Sequence, residues 1–225
     1  MRTILYIPFK DDDTEEGFDL QLMARTWRHN LNKFDNEIII VQHGGSSQPD
    51  IHDQIPENVQ DSVIYVLSHG IPDQAQSLIE DELEKKLEIE ELFIANNTSF
   101  SASNFISIQE ISKRMKLDGL TPGTTENPLN IKLYFCDASE QEYRAKKMSI
   151  AFRNGLGQGF KKRSQNSISY YSGVSLKLPT KEGVFIAYHM GLNDKNFKLA
   201  GTVDKFEHEL SSSDEDNDNM QFQLQ

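Results

Sequence analysis

Four short apolar runs, Ile4-Leu5-Tyr6-Ile7, Ile38-Ile39-Ile40-Val41, Val63-Ile64-Tyr65-Val66-Leu67 and Ile131-Lys132-Leu133-Tyr134-Phe135, are separated by long polar or helix-patterned stretches. Runs of this length, rich in β-branched and aromatic residues, read as strands. A strand that is apolar on both faces, such as the one at 37–42, belongs in a parallel sheet covered on both sides. The expected fold class is therefore α/β, a mostly parallel central sheet with helices on both faces.

The helical segments can be placed by pattern. Residues 20–31 carry Leu20, Met23, Trp27 and Leu31 on one face. Ser107-Ile108-Gln109-Glu110 has the spacing of a capping box, after which Ile108, Ile111 and Met115 step along one face toward a helix end near Gly119. A second box, Ser139-Glu140-Gln141-Glu142, predicts a helix whose Ala145, Met148, Phe152 and Leu156 face the core. The loop 121–127, with Pro122 and Gly123, leads into the fourth strand, and further strands are expected at 167–171, 184–188 and 197–203.

The 225 residues suffice for one sizeable core, and residues 1–210 read as a single domain with a charged helical insertion near 75–105. Residues 211–225 contain Asp214, Glu215, Asp216 and Asp218 and no Lys or Arg, and read as a disordered acidic tail. The formal charge of -12 disfavours nucleic acid and anionic membrane as partners. No apolar run approaches the ~18 residues of a membrane span, and residues 4–9 are too short for a secretory leader. The expectation is a cytoplasmic protein, or one secreted without a cleaved signal peptide, for instance delivered into a host cell as an effector. With a single Cys, no internal disulfide is available to the fold.

The reactive residues fall at strand ends. Val63-Ile64-Tyr65-Val66-Leu67 runs on into Ser68-His69-Gly70, and Ile131-Lys132-Leu133-Tyr134-Phe135 into Cys136-Asp137-Ala138-Ser139. A His and the only Cys would thus lie at the carboxyl ends of two strands, where open α/β sheets hold their sites. A thiol with a free pKa of about 8.5 is activated by a nearby imidazole or a helix N-terminus. The sequence offers His69 for the first and the helix opening near Ser139 for the second. Cys136 is then the candidate nucleophile and His69 the acid and base, with the backbone N–H groups of Gly70 and Cys136 as oxyanion donors. Asp137 opposes thiolate formation unless its carboxylate caps the helix, as expected. His43, in His43-Gly44-Gly45-Ser46, is a rival base that also follows a strand. The esterase reading of that loop lacks a Gly-x-Ser-x-Gly elbow. Gly155-Leu156-Gly157-Gln158-Gly159 ends a helix where a dinucleotide fingerprint must begin one. His29, His52, His189 and His208 show no ligand spacing, so neither metal nor cofactor is expected.

At His69-Gly70 and Cys136 the chain resembles the caspase-fold (clan CD) cysteine peptidases, which include legumain, gingipain, clostripain, separase and the autoprocessing domains of bacterial toxins. The order of elements over residues 34–173 is most similar to the toxin domains, with 34–42 like their early strand and 106–117 like their helix before the Cys strand. His69 and Cys136 are 67 positions apart, against the ~50 of caspases. The helical insertion, centred on 81–97, accounts for the difference. The resemblance implies a caspase-like three-layer sandwich, a His-Cys dyad that cleaves a protein or peptide substrate, and a substrate pocket with Tyr171 and Ser172 on one wall. It does not carry Asp specificity, because Gln-Ala-Cys-x-Gly is not present. The toxin domains take inositol hexakisphosphate as activator, so the resemblance also implies a small-molecule activator such as an inositol phosphate, although Lys161-Lys162-Arg163 and the scattered Lys177, Lys181, Lys195 and Lys198 equally suit ordinary surface.

A reading from a different class remains open on these residues. Asp137, the insertion and the acidic tail also suit a catalytically inactive protein of this fold that acts as a protein-binding adaptor.

Overall fold

The structure is a computed structural model, and it describes residues 2–10, 19–31, 37–45, 50–55, 62–71, 93–96, 105–135, 144–162, 164–170, 174–176, 186–189 and 197–199. Its centre is a five-stranded sheet of β1 (Arg2–Ile7), β2 (Glu37–Gln42), β3 (Val63–Leu67), β7 (Leu129–Tyr134) and β8 (Asn166–Tyr170), in the order β2-β1-β3-β7-β8. Every neighbouring pair is parallel, so the expected α/β class is borne out. Two small antiparallel sheets accompany it. One consists of β4 (His69–Gly70), β5 (Phe93–Ala95) and β6 (Phe105–Ser107), in that order. The other consists of β9 (Val174–Leu176), β10 (Ile186–His189) and β11 (Phe197–Leu199), with β10 in the middle.

Strand alternation assigns the two faces of the main sheet. Leu5, Tyr65 and Lys132 are registered across β1, β3 and β7, and share one face with Tyr134. Against that face lies helix α1 (Asp19–Leu31). Its Trp27 is fully buried, with ring centroids 4.8 Å from both Tyr65 and Tyr134. The Lys132 ammonium sits 5.7 Å from the Tyr65 ring centroid and adds a cation–π contact. Burial alone pushes the Tyr65 hydroxyl up to about 12.

The other face carries Tyr6, Val66 and Leu133 and is covered from α2 (Ile108–Leu117) and α3 (Arg144–Leu156). Ser107 caps α2 by accepting from the Glu110 N–H, as the capping-box spacing predicts, and Ile108, Ile111 and Met115 are buried. On α3 the buried residues include Met148, Phe152 and Leu156, three of the four expected core positions. The two helices approach closely at a pair of small residues. The Ser112 hydroxyl donates to the Phe152 carbonyl at 2.8 Å, and a Cβ at Gly155 would lie 2.7 Å from that hydroxyl oxygen.

Helix α2 stops in a Schellman turn. Gly119 takes φ +86, its N–H donates to the Lys116 carbonyl, and the Leu120 N–H donates to the Met115 carbonyl. This is the 6→1 and 5→2 pairing of that motif, and only glycine adopts such a φ without strain.

Three expectations are modified. The strand at 37–42 forms as expected but lies at the sheet edge, and Ile39 and Ile40 are only half-buried. Within the stretch 75–105, expected as a helical insertion, the described residues 93–96 include a strand, β5, instead. The third strand ends at Leu67, and His69 begins a new one. The acidic tail at 211–225 and the capping box at 139–142 lie outside the described residues.

Trp27→Ala is expected to lower stability by about 3–5 kcal/mol through the cavity left between α1 and the sheet. Gly155→Ala should cost about 1–3 kcal/mol by forcing α2 and α3 apart. Urea denaturation followed by circular dichroism measures both.

Candidate functional site

The parallel arrangement gathers all five carboxyl ends of the main strands on one edge. In a sheet of order 2-1-3-4-5 the chain reverses its direction of winding between the first and third strands, and ligands bind outside the carboxyl ends at that point. By that rule the binding position falls between the ends of β1 and β3, and β3 leads through Ser68 into His69.

His69 and Gly70 are half-buried and pair with Ala95 and Ile94, so the residue after the sheet end is held by a second sheet. Ile71, Phe93, Ala95 and Phe105 pack together beneath this junction as a small separate core. A backbone fixed in this way positions an imidazole more closely than a free loop does. Cys136, the predicted nucleophile and second oxyanion donor, and the pocket residues Tyr171 and Ser172 lie outside the described residues. What is described is the framework on either side of them. β3 and β7 are adjacent and registered up to Leu67↔Tyr134, the buried Phe135 follows β7, and β8 ends at Tyr170.

His43, the rival base, is on β2's end of the sheet. Three strand spacings separate β2 from β7, roughly 14 Å at about 4.8 Å each, whereas β3 is β7's neighbour. By that spacing His69, not His43, follows the strand beside β7.

His43 does belong to a second polar group that sequence reasoning missed. Its Nδ1 lies 2.9 Å from Asp118 Oδ2 and 3.1 Å from Oδ1, and the Tyr6 hydroxyl donates to the same Oδ2 at 2.6 Å. His43 is buried, with 11% of its side-chain surface left, and its own N–H donates to the Ile7 carbonyl. Asp118 is the C-cap of α2, and a carboxylate there opposes the helix dipole by roughly 0.3–1 kcal/mol. Two side-chain partners offset that cost, and the Ile51 N–H donates to the Asp118 carbonyl at 2.7 Å. Beside them Arg114 donates to the Pro8 carbonyl and to Glu110, tying α2 to the end of β1. Burial, reinforced by the neighbouring Asp118 charge, raises the Tyr6 hydroxyl far above its ordinary value, so it remains a donor. No sequence pattern links these residues, because Tyr6 and Asp118 are 112 positions apart and His43 and Asp118 are 75 apart.

Among the described residues no group of three or more His, Cys, Asp or Glu could hold a metal ion, and no helix is long and apolar enough to cross a membrane. No protein-family model, curated protein or solved structure matches the chain.

Tyr6→Phe removes a donor to a half-buried carboxylate and should cost about 1–3 kcal/mol. The raised tyrosines give a linkage with a definite sign. Their folded values lie above the unfolded one, so their contribution to stability is complete below about pH 10 and is lost as pH rises through the folded values. Ultraviolet titration should show Tyr6 and Tyr65 silent at pH 10–11 in the folded protein and ionising with the unfolding transition.

Proposed function

We propose that the chain is a caspase-fold cysteine endopeptidase that uses a His69–Cys136 dyad. The observation that carries this reading is the β3–β7 register. The last matched pair is Leu67↔Tyr134, and two residues further along each chain stand His69 and Cys136. The two residues therefore follow adjacent strand ends about 4.8 Å apart. The sheet order supports the substrate pocket similarly, because β8 adjoins β7 and Tyr171-Ser172 follows its last residue, Tyr170.

In the proposed reaction the Cys136 thiolate attacks the scissile carbonyl carbon, and the oxyanion is held by the N–H groups of Gly70 and Cys136. As the tetrahedral intermediate collapses, the C–N bond breaks and His69 gives its proton to the departing amine. A thioester remains. His69 then takes a proton from water, whose oxygen attacks the thioester carbonyl, and the thiol leaves with the carboxylate product released.

A panel of peptidyl acyloxymethyl ketones carrying Arg, Lys, Leu, Asn or Asp next to the warhead tests this reading. Mass spectrometry should find peptide-dependent labelling at Cys136, and His69→Ala should slow it about 10²–10⁴-fold. Cys136→Ala should abolish peptide cleavage. Labelling at the rate of a free thiol, whatever the peptide, would instead fit a binding protein of the same fold.

A further inference from the structure

The layer formed by α2 and α3 is charged differently from the rest of the chain. Its two helices hold seven Lys and Arg and a single acid, Glu110, although the net charge of the whole chain is -12. Glu110 is already engaged, accepting from Arg114 at 3.1 Å and lying 3.8 Å from the Lys113 ammonium. The sequence from 143 to 180 continues the bias, with eight Lys and Arg and no Asp or Glu.

Helical spacing gathers part of this charge on the outer surface. Lys113, Lys116 and Leu117 are exposed along α2, away from the buried Ile111 and Met115, and Lys147 and Ile150 are exposed along α3, away from Met148 and Phe152. The two stripes adjoin, because the helices meet at Ser112 and Gly155 and the Lys116 ammonium donates to the Gly155 carbonyl. Leu117 is 78% exposed and Ile150 42%, two of the three exposed large apolar residues among the described ones. A solvated helix face mixes charges of both signs and keeps large apolar side chains inside. A face with cations of one sign around two bare apolar residues suits a ligand that is acidic and apolar by turns.

The chain itself carries such a ligand. In residues 211–225, which lie outside the described residues, Asp214, Glu215, Asp216 and Asp218 are followed by Met220, Phe222 and Leu224 in alternation with Gln. We infer that the outer face of α2 and α3 is the docking surface for this segment, with its carboxylates against Lys113, Lys116 and Lys147 and its apolar residues on Leu117 and Ile150. The inference is independent of the peptidase reading. The tether allows it: residues 214 to 218 follow Leu199 by 15 to 19 positions, an extended span of up to roughly 50–65 Å. A body of this size is roughly 40 Å across. Tethering also gives the segment an effective concentration of about a millimolar, so a weak attraction is enough to seat it. A free acidic ligand lacks that advantage, and nucleic acid or anionic lipid is in addition repelled by the acidic remainder of the chain.

Zero-length cross-linking of the full chain with a carbodiimide tests this, since it joins a carboxylate to an amine only where the two touch. A dilute mixture of unlabelled and heavy-isotope-labelled protein should give its main products between residues 214–218 and Lys113, Lys116 or Lys147 of the same chain. Lys113→Glu with Lys147→Glu should lower their yield about tenfold, as should about 0.5 M salt. Adding Asp214→Lys and Glu215→Lys to that variant should bring a product back, with amine and carboxylate exchanged. Phe222→Ser leaves every charge in place and should lower the wild-type yield about threefold. Products scattered over lysines elsewhere, such as Lys10 and Lys132, or a yield indifferent to the reversed lysines or to Phe222→Ser, overturn the inference. Products that join labelled to unlabelled chains overturn it in favour of a second copy. Absent products together with binding to phosphatidylserine vesicles overturn it in favour of a lipid surface.

Discussion

Parallel pairing is the constraint on which the rest of this structure depends. When five strands all run one way, each chain segment must return to the starting end before the next strand begins, and each return needs something to pack on. The helices that meet this need bury both faces of the sheet. Trp27 fills the space between α1 and one face, and Ile108, Ile111, Met115 and Phe152 contribute to the cover of the other. The same geometry has a chemical result. Residues far apart in the chain that follow their strands, such as His43 and His69, end on one edge for reasons of topology alone.

The ends of the central strands are then fixed by different means. At β3 the chain passes from the parallel sheet into an antiparallel one within two residues, so backbone pairing holds His69. At β1 and β2 side chains do the work. Asp118 joins α2 to Tyr6 and His43, and Arg114 reaches the Pro8 carbonyl. A buried polar cluster adds less stability than an apolar one of equal volume, but it tolerates only one arrangement of its parts. The Schellman turn at Gly119 presents Asp118 to that cluster, and the helix end and the sheet edge are in this sense one unit.

What the sequence made legible follows from range. The main strands announce themselves through runs such as Val63-Ile64-Tyr65-Val66-Leu67, and α2 through its Ser107 cap, because these signals lie within a few residues. β5 and β6 have three residues each, too short for any period to register, and Phe93 fell within the stretch read as a charged helical insertion. Ile38-Ile39-Ile40-Val41 correctly indicated a strand, but apolarity on both faces does not distinguish an edge from an interior place. Of the candidate site, the nomination of His69 as a strand-end residue came from local pattern, whereas its attachment to Ala95 did not. Asp118 could not be nominated at all, since nothing about an Asp before a Gly indicates partners 75 and 112 positions away.

The position of β1 in the sheet also bears on how the chain is made. β1 lies between β2 and β3, and its register partners follow it by 35 residues at Glu37 and by 60 at Val63. At a synthesis rate of 5–20 residues per second, Ile4, Leu5, Tyr6 and Ile7 wait about 3–12 s before both neighbours have been translated. Until β2 has been translated this apolar strand has two edges without partners, and until β3 follows it has one, the kind of segment that draws chaperones or aggregates.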